Sequence, residues 1–290
     1  MIDQYCVVGR DVSRSPSPAM MNAAFSSLRI DAEYSSVSVA ETRFAREFGR
    51  LMAARFKGMN VTIPFKTAVI PWLEGLDAVA TRVNAVNTVK REDDGRYLGH
   101  NTDPDGIVGP LRQVAAALDV RNALLIGAGG AARAFCEAMN RIGCIDLAVA
   151  VRDVERARKF VLEMEMAFPR MNLTLASMED LHHLGHDLVF NATPMGAAGE
   201  PLPKELKRVL PGSKVVFDAV YRPKETKLLQ EAKRNGAEVI HGEEMLLHQG
   251  MAAFRLWTGK DAPEKVMRTA LAGSPGRAMK KKSRRGRPKR

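Results

Sequence analysis

The sequence predicts an α/β protein of two domains, and three observations carry that prediction. The chain has 290 residues, 46% of them hydrophobic, which is enough to bury more than one core. Short apolar runs alternate with helical patterns along most of its length. Midway, an apolar run opens directly into the glycine-rich turn Gly127-Ala128-Gly129-Gly130.

Taken in order, residues 5–9 and 32–39 read as strands on either side of a helix over 18–28. Over 42–54, Phe44, Phe48, Leu51 and Met52 share one helical face. Residues 57–61 form a short strand. Residues 86–91 and 96–98 form a hairpin, because Asp93-Asp94-Gly95 suits a tight turn. A helical pattern starts just after Asp103. From there the rhythm is strand–helix–strand, with strands at 123–126, 147–151, 173–176, 188–192, 215–219 and 238–240. Helices over 131–141, 154–167 and 224–235 lie between them. This alternation calls for a parallel sheet covered on both faces. Helices over 243–257 and 263–271 follow. The expected division is a first domain at 1–104, completed by 243–272, and a second at 105–242.

Composition excludes some classes. No run of about 18 apolar residues is present, so no membrane span is expected. The first residues lack a basic stretch followed by an apolar one and do not read as a secretory signal. Cys6, Cys136 and Cys144 form neither a metal-ligand spacing nor an even disulfide set, so a reduced, cytoplasmic protein is the simplest reading. His182, His183 and His186 lack the acid or cysteine that a zinc site needs, and no metal is expected. Met20, Met21, Met164, Met166 and Trp257 read as packing.

The net charge of +11 is local. Nine Lys and Arg residues with no acid occupy 277–290, leaving +2 for the preceding 276 residues. Residues 273–290 therefore read as a disordered basic tail. Within it, Arg284-Arg285-Gly286-Arg287-Pro288 resembles the AT-hook, whose arginines enter the narrow minor groove of A·T-rich DNA. A solvated solubility tail is the commoner explanation of such a run, so nucleic acid is a secondary expectation.

The glycine turn has the context that gives it meaning. Gly127-Ala128-Gly129-Gly130-Ala131-Ala132 follows an apolar strand, opens a helix and heads several strand–helix units. The first glycine permits the sharp turn, and the second lets backbone approach a pyrophosphate at the helix N-terminus. A Rossmann-type dinucleotide-binding domain follows. At the end of the next strand, Arg152 and Arg156 suit the 2′-phosphate of NADP, whereas Asp153 suits the ribose 2′-hydroxyl of NAD. Two arginines favour NADP, with Asp153 orienting them; NAD or both nucleotides is the alternative.

One lysine stands out. Gly58-Met59-Asn60-Val61-Thr62-Ile63-Pro64-Phe65-Lys66 places it after a polar turn whose backbone Pro64 restricts. A lysine so held can donate a proton to a bound oxygen. A second polar cluster, Gly99-His100-Asn101-Thr102-Asp103, supplies a carboxylate. Lysine, aspartate and a nucleotide turn together point to hydride transfer coupled to proton transfer. Singly, Lys66 could be a solvated turn residue, Asp103 a helix N-cap, and Ser15 and Ser17 caps of the first helix.

Seven motifs in order resemble the shikimate/quinate dehydrogenase family, over nearly the whole span from Val7 to about Leu271. They are Ser15-Pro16-Ser17-Pro18, Asn60 to Lys66, Asn84-Ala85-Val86-Asn87-Thr88, and Gly99-x-Asn101-Thr102-Asp103. The rest are Asn191-Ala192-Thr193-Pro194, the Asp218 to Leu229 element with Tyr221, Pro223 and Thr226, and Gly242-x-x-Met245-Leu246-x-x-Gln249. The resemblance implies a substrate-binding domain and a Rossmann-type domain with a cleft between them. It implies reversible reduction of 3-dehydroshikimate to shikimate, or of 3-dehydroquinate to quinate, in a monomer or homodimer. By the same resemblance Ser15 and Ser17 hold the substrate carboxylate, and Thr62, Asn87, Tyr221 and Gln249 its hydroxyls. Lys66 and Asp103 act at the reacting oxygen, and Thr193, Ala219, Gly242 and Met245 border the nucleotide. The chain departs from the family pattern at Gly9-Arg10-Asp11-Val12-Ser13-Arg14, at Met20-Met21-Asn22, at Asn84 in place of glycine, and at Val151-Arg152-Asp153.

Overall fold

Short apolar strands, most of them buried on both faces, organise the chain around two six-stranded sheets. The computed structural model describes residues 2–114, 120–181 and 185–273. The first part runs β1 (Asp3–Gly9), α1 (Ser17–Ser27), β2 (Ala32–Ser38), α2 (Phe44–Ala53), β3 (Gly58–Val61), β4 (Gly75–Leu76), α3 (Ala78–Val83), β5 (Thr88–Arg91) and β6 (Tyr97–His100). Then come α4 (Asp103–Val114), β7 (Asn122–Ile126), α5 (Gly130–Ile142), β8 (Asp146–Val151), α6 (Val154–Ala167), β9 (Asn172–Ser177) and β10 (Leu188–Asn191). The chain continues with α7 (Lys204–Val209), β11 (Val215–Asp218), α8 (Lys227–Arg234), β12 (Glu238–Ile240), α9 (Gly242–Thr258) and α10 (Glu264–Gly273).

The first sheet has the order β2-β1-β3-β5-β6-β4 and is mixed. β1 lies parallel to β2 and β3, while β5 runs antiparallel to β3 and β6 in the hairpin that turns through Gly95. Its two faces take different cover. Cys6, Val8, Met59, Val61 and Val89 pack with Phe44 and Phe48 of α2, whereas Tyr5, Val7 and Tyr34 pack with Met20, Met21, Leu247, Phe254 and Met267. The last two helices thus seal one face of the first sheet.

The second sheet has the order β12-β11-β10-β7-β8-β9, with every pairing parallel. The chain moves outward from β7 to β9, then returns to the other side of β7 with β10. That reversal is the topological switch point of a doubly wound sheet. Alternate residues divide between two cores: Leu125, Val149, Phe190 and Phe217 on one side, Leu124, Ile126, Val189 and Val216 on the other. Both faces are buried, as parallel sheets require.

The predicted helix over 42–54 begins as a 3₁₀ turn at Glu41–Arg43. The strand β4 and the six-residue helices α3 and α7 were not anticipated, since elements so short show no periodicity. α3 did carry a start signal: the Asp77 carboxylate accepts the Ala80 N–H at 2.6 Å. Met166 sits on the outer face of α6, unlike buried Met164. The basic tail beyond Gly273, and His182 and His183, lie outside the described residues.

Phe190 is fully buried in the second sheet, stacked on Phe135 at 4.5 Å and edge-on to Phe217 at 5.1 Å. Phe190→Ala is expected to cost about 3–5 kcal/mol of folding stability, measured by chemical denaturation.

Candidate active site

Register brings distant segments to one edge of the first sheet. Val8 pairs with Val61, Asn60 with Thr88, and Thr88 with His100. The loops that follow β1, β3 and β6, and the residues that precede β5, therefore emerge together. They carry Ser15 and Ser17, Thr62 and Lys66, Asn101 to Asp103, and Asn87.

Lys66 and Asp103 meet there. The Lys66 ammonium donates to Asp103 Oδ2, and only 14% and 6% of the two side chains are exposed. The Lys66 carbonyl accepts the Val86 N–H at 2.8 Å, which fixes the stem of the lysine. Asn87 fixes the carboxylate by donating Nδ2 to Asp103 Oδ1 at 2.8 Å. The amide cannot be turned the other way, because its oxygen accepts the Thr102 backbone N–H at 2.8 Å and the Thr88 hydroxyl at 2.9 Å. Asn60 extends the network, donating to Thr88 Oγ1 and accepting the Tyr34 hydroxyl at 2.7 Å. Asp103 is the first residue of α4, yet its carboxylate is occupied by Lys66 and Asn87 rather than by capping its own helix.

The other residues expected at the substrate come from several elements. Ser15 Oγ accepts the Ser17 N–H at 3.2 Å and donates to Ser17 Oγ at 3.1 Å, and α1 has no side-chain cap. Thr62 packs its methyl against Gly9, where an added Cβ would sit 2.5 Å from it. Gln249 of α9 abuts Gly106, three residues beyond Asp103. Tyr221 comes from the second sheet, in the loop after β11, and burial pushes its phenol upward. Beside it, Arg222 crosses to the first sheet's loops and donates to the Arg14 carbonyl at 2.8 Å.

The glycine turn occupies the switch point. Gly127 has φ +103°, and a Cβ there would lie 2.6 Å from Thr193 Cγ2, so the turn after β7 and the loop after β10 can touch only with glycine. Thr193 is fixed by Asn191, whose oxygen accepts its N–H and hydroxyl, and Asn191 in turn donates to Asp218 at 2.9 Å. Burial raises the Asp218 carboxyl, against bonds from Thr226, Val220 and Asn191. Gly242 at the start of α9 packs on the Ala219 carbonyl, 2.6 Å from where its Cβ would be, with Met245 one turn on. Above Gly129 a Cβ would meet nothing within 4 Å, so the α5 N-terminus is an open backbone cradle that fits a pyrophosphate. Ala128 and Ala131 flank it. A Cβ on Gly130 would lie 3.1 Å from Lys66 Cδ, so the lysine stem rests on the nucleotide turn.

At the end of β8, Arg152 and Arg156 are exposed and form no side-chain bond among the described residues. Asp153 does not orient them, contrary to the sequence expectation. Its carboxylate accepts the Arg156 backbone N–H at 3.0 Å and caps α6.

Residues 7–89 match the shikimate dehydrogenase substrate binding domain, and residues 242–272 match the shikimate 5'-dehydrogenase C-terminal domain. A shikimate dehydrogenase (NADP(+)) of Moorella thermoacetica is 40% identical over 286 residues, covering 93% of this chain and 94% of that protein. The chain belongs to the shikimate dehydrogenase family. Among solved structures, the shikimate 5-dehydrogenase of Thermus thermophilus in complex with NADP(H) and shikimate is 34% identical with a TM-score of 0.80, over 93% of this chain and 98% of that one. The quinate dehydrogenase of Corynebacterium glutamicum in complex with NAD is 28% identical with a TM-score of 0.84, over 93% and 98%.

Within this dehydrogenase fold, Tyr34 and Thr88 hold Asn60 and Asn87 from behind. Sequence reasoning missed Tyr34, since nothing local marks that buried tyrosine as part of a polar network, and gave Thr88, quoted in the Asn84 to Thr88 motif, no role of its own. Trp257, read as packing, also donates its indole N–H to the Val89 carbonyl at 3.0 Å.

Proposed function

We propose that this chain catalyses the reversible, NADPH-dependent reduction of 3-dehydroshikimate to shikimate. The observation that supports this most is the Lys66–Asp103 pair, sequestered at the edge of the first sheet with the lysine stem against Gly130. Ser15, Ser17, Thr62, Asn87, Tyr221 and Gln249 are proposed to bind the cyclic acid. NADP is favoured over NAD because the exposed Arg152 and Arg156 guanidinium groups are free for a 2′-phosphate, while the Asp153 carboxylate is engaged as a helix cap.

Bound nucleotide supplies the hydride, and the protein manages the charge that develops on the ring oxygen. The Lys66 ammonium stabilises that oxygen and delivers its proton; in the oxidative direction Lys66 accepts one. Asp103 limits where the ammonium can sit, since Asn87 fixes one carboxylate oxygen and leaves the other to Lys66. Burial of the pair excludes water that would compete for the same proton.

Quinate with NAD is the second reading, favoured by the Corynebacterium neighbour and by an acid at position 153. An association of residues 277–290 with DNA is a reading of another class. It rests on the basic Gly-Arg-Pro run alone, and the intact Lys66, Asp103 and glycine turn favour the enzyme.

Initial rates for shikimate and quinate, each with NADP⁺ and NAD⁺, test the proposal. The highest kcat/KM is expected for shikimate with NADP⁺, and a preference for quinate with NAD⁺ would select the second reading. Lys66→Ala is expected to lower kcat by about 10³-fold, taking general acid–base and oxyanion roles together, with the Kd for NADP⁺ nearly unchanged in a fluorescence titration. Near-normal turnover would remove Lys66 from the chemistry.

A further inference from the structure

A second group of charges lies away from the reacting oxygen, where α3, α4 and α5 meet. Glu137 of α5 is only 2% exposed, yet its carboxylate is fully engaged. Arg82 of α3 donates to Oε2 at 2.7 Å, and Arg141, one turn further along α5, donates to Oε1 at 2.9 Å. Arg141 also donates to Asp105 of α4 at 3.1 Å. One buried carboxylate and one bridging guanidinium therefore tie three helices together. Nearby, Arg133 of α5 reaches back to the Val83 carbonyl at the end of α3, at 3.3 Å.

What those three helices lead to gives the cluster its meaning. α3 runs into Ala85-Val86-Asn87, where the Val86 N–H holds the Lys66 carbonyl, the Ala85 carbonyl accepts from Asn101, and Asn87 holds Asp103. α4 begins at Asp103 itself, two residues before Asp105. α5 begins at Gly130, which touches the Lys66 stem. Each tied helix thus carries one of the groups that fix the proton donor relative to the nucleotide turn. Apolar side chains could pack three helices equally well. Directional, charge-assisted hydrogen bonds to a buried carboxylate also fix how far each helix slides and rotates.

We propose that Glu137, together with Arg82, Arg141 and Asp105, is a positioning cluster that sets the register of the Lys66–Asp103 pair against the nucleotide turn. None of the four touches the reacting atoms; they act through Asn87, Asp103 and Gly130. The inference rests on the dehydrogenase reading above and goes beyond it, because it assigns rate to residues outside the cleft.

The test compares the full chain with Arg82→Met, Arg82→Lys and Glu137→Gln, oxidising shikimate with NADP⁺. The quantity read is kcat per nucleotide-binding site, with sites counted by NADP⁺ titration, so that loss of folded protein does not register. Arg82 is 39% exposed and Glu137 keeps Arg141 without it, so Arg82→Met is the variant expected to fold even if Glu137→Gln does not. Arg82→Met is expected to lower kcat per site by about 10- to 100-fold, the scale of a sub-ångström to 1 Å misplacement, with both KM values within about threefold. Arg82→Lys, which keeps the charge, is expected to recover much of the loss. A kcat per site within about fivefold of the unaltered chain in Arg82→Met, or no recovery in Arg82→Lys, would reduce the cluster to a stability element. No turnover by the unaltered chain is a different failure: it would sink the dehydrogenase reading and this proposal with it.

Discussion

The contact on which the rest depends is the ion pair between Lys66 and Asp103. Two largely buried charges are tolerable only because each compensates the other and the remaining oxygen of the carboxylate is hydrogen-bonded. Removing either partner would strand the other in a poorly solvated place. The polar residues behind the pair follow from this requirement. Asn87 serves Asp103, Thr102 and Thr88 fix the orientation of Asn87, and Asn60 with Tyr34 fixes Thr88. Such a network is stable because nearly every member has a partner.

Two sheet edges are what make the pair useful. In the first sheet, register gathers the loops after β1, β3 and β6 at one end. In the second, the reversal between β7 and β10 opens a crevice beyond the carboxyl ends of parallel strands. Glycine makes three close approaches at these edges possible. Gly130 admits the lysine stem, Gly127 admits Thr193, and Gly242 admits the backbone at Ala219. A Cβ at Gly127 or Gly242 would lie 2.6 Å from its neighbour, whereas one at Gly130 asks the lysine stem to give by only a few tenths of an ångström.

Much of this was legible in the sequence, for identifiable reasons. The strands of the second sheet were visible because continuous apolar runs such as Ala123-Leu124-Leu125-Ile126 are what burial on two faces demands. The Lys66 and Asp103 motifs were readable because they combine polar, proline and glycine residues in an order that is rare by chance. The short α3 and α7 were not, since six residues give no period. Asp153 shows a signal assigned to the wrong partner. An aspartate just before the helical run from Val154 is a helix-start mark, and the structure uses it as a cap, not as a guide for arginines. The Glu137 cluster was invisible, because Arg82 and Glu137 are 55 residues apart and nothing local links them.

The central claim is that Lys66 and Asp103 act as one unit, and a double-mutant cycle on kcat with Lys66→Met, Asp103→Asn and the combined variant tests it most directly. If the two work together, the combined variant turns over about as slowly as the worse single variant. Losses that multiply, so that the combined variant is slower by the product of the two, would mean that they act separately and would contradict the account.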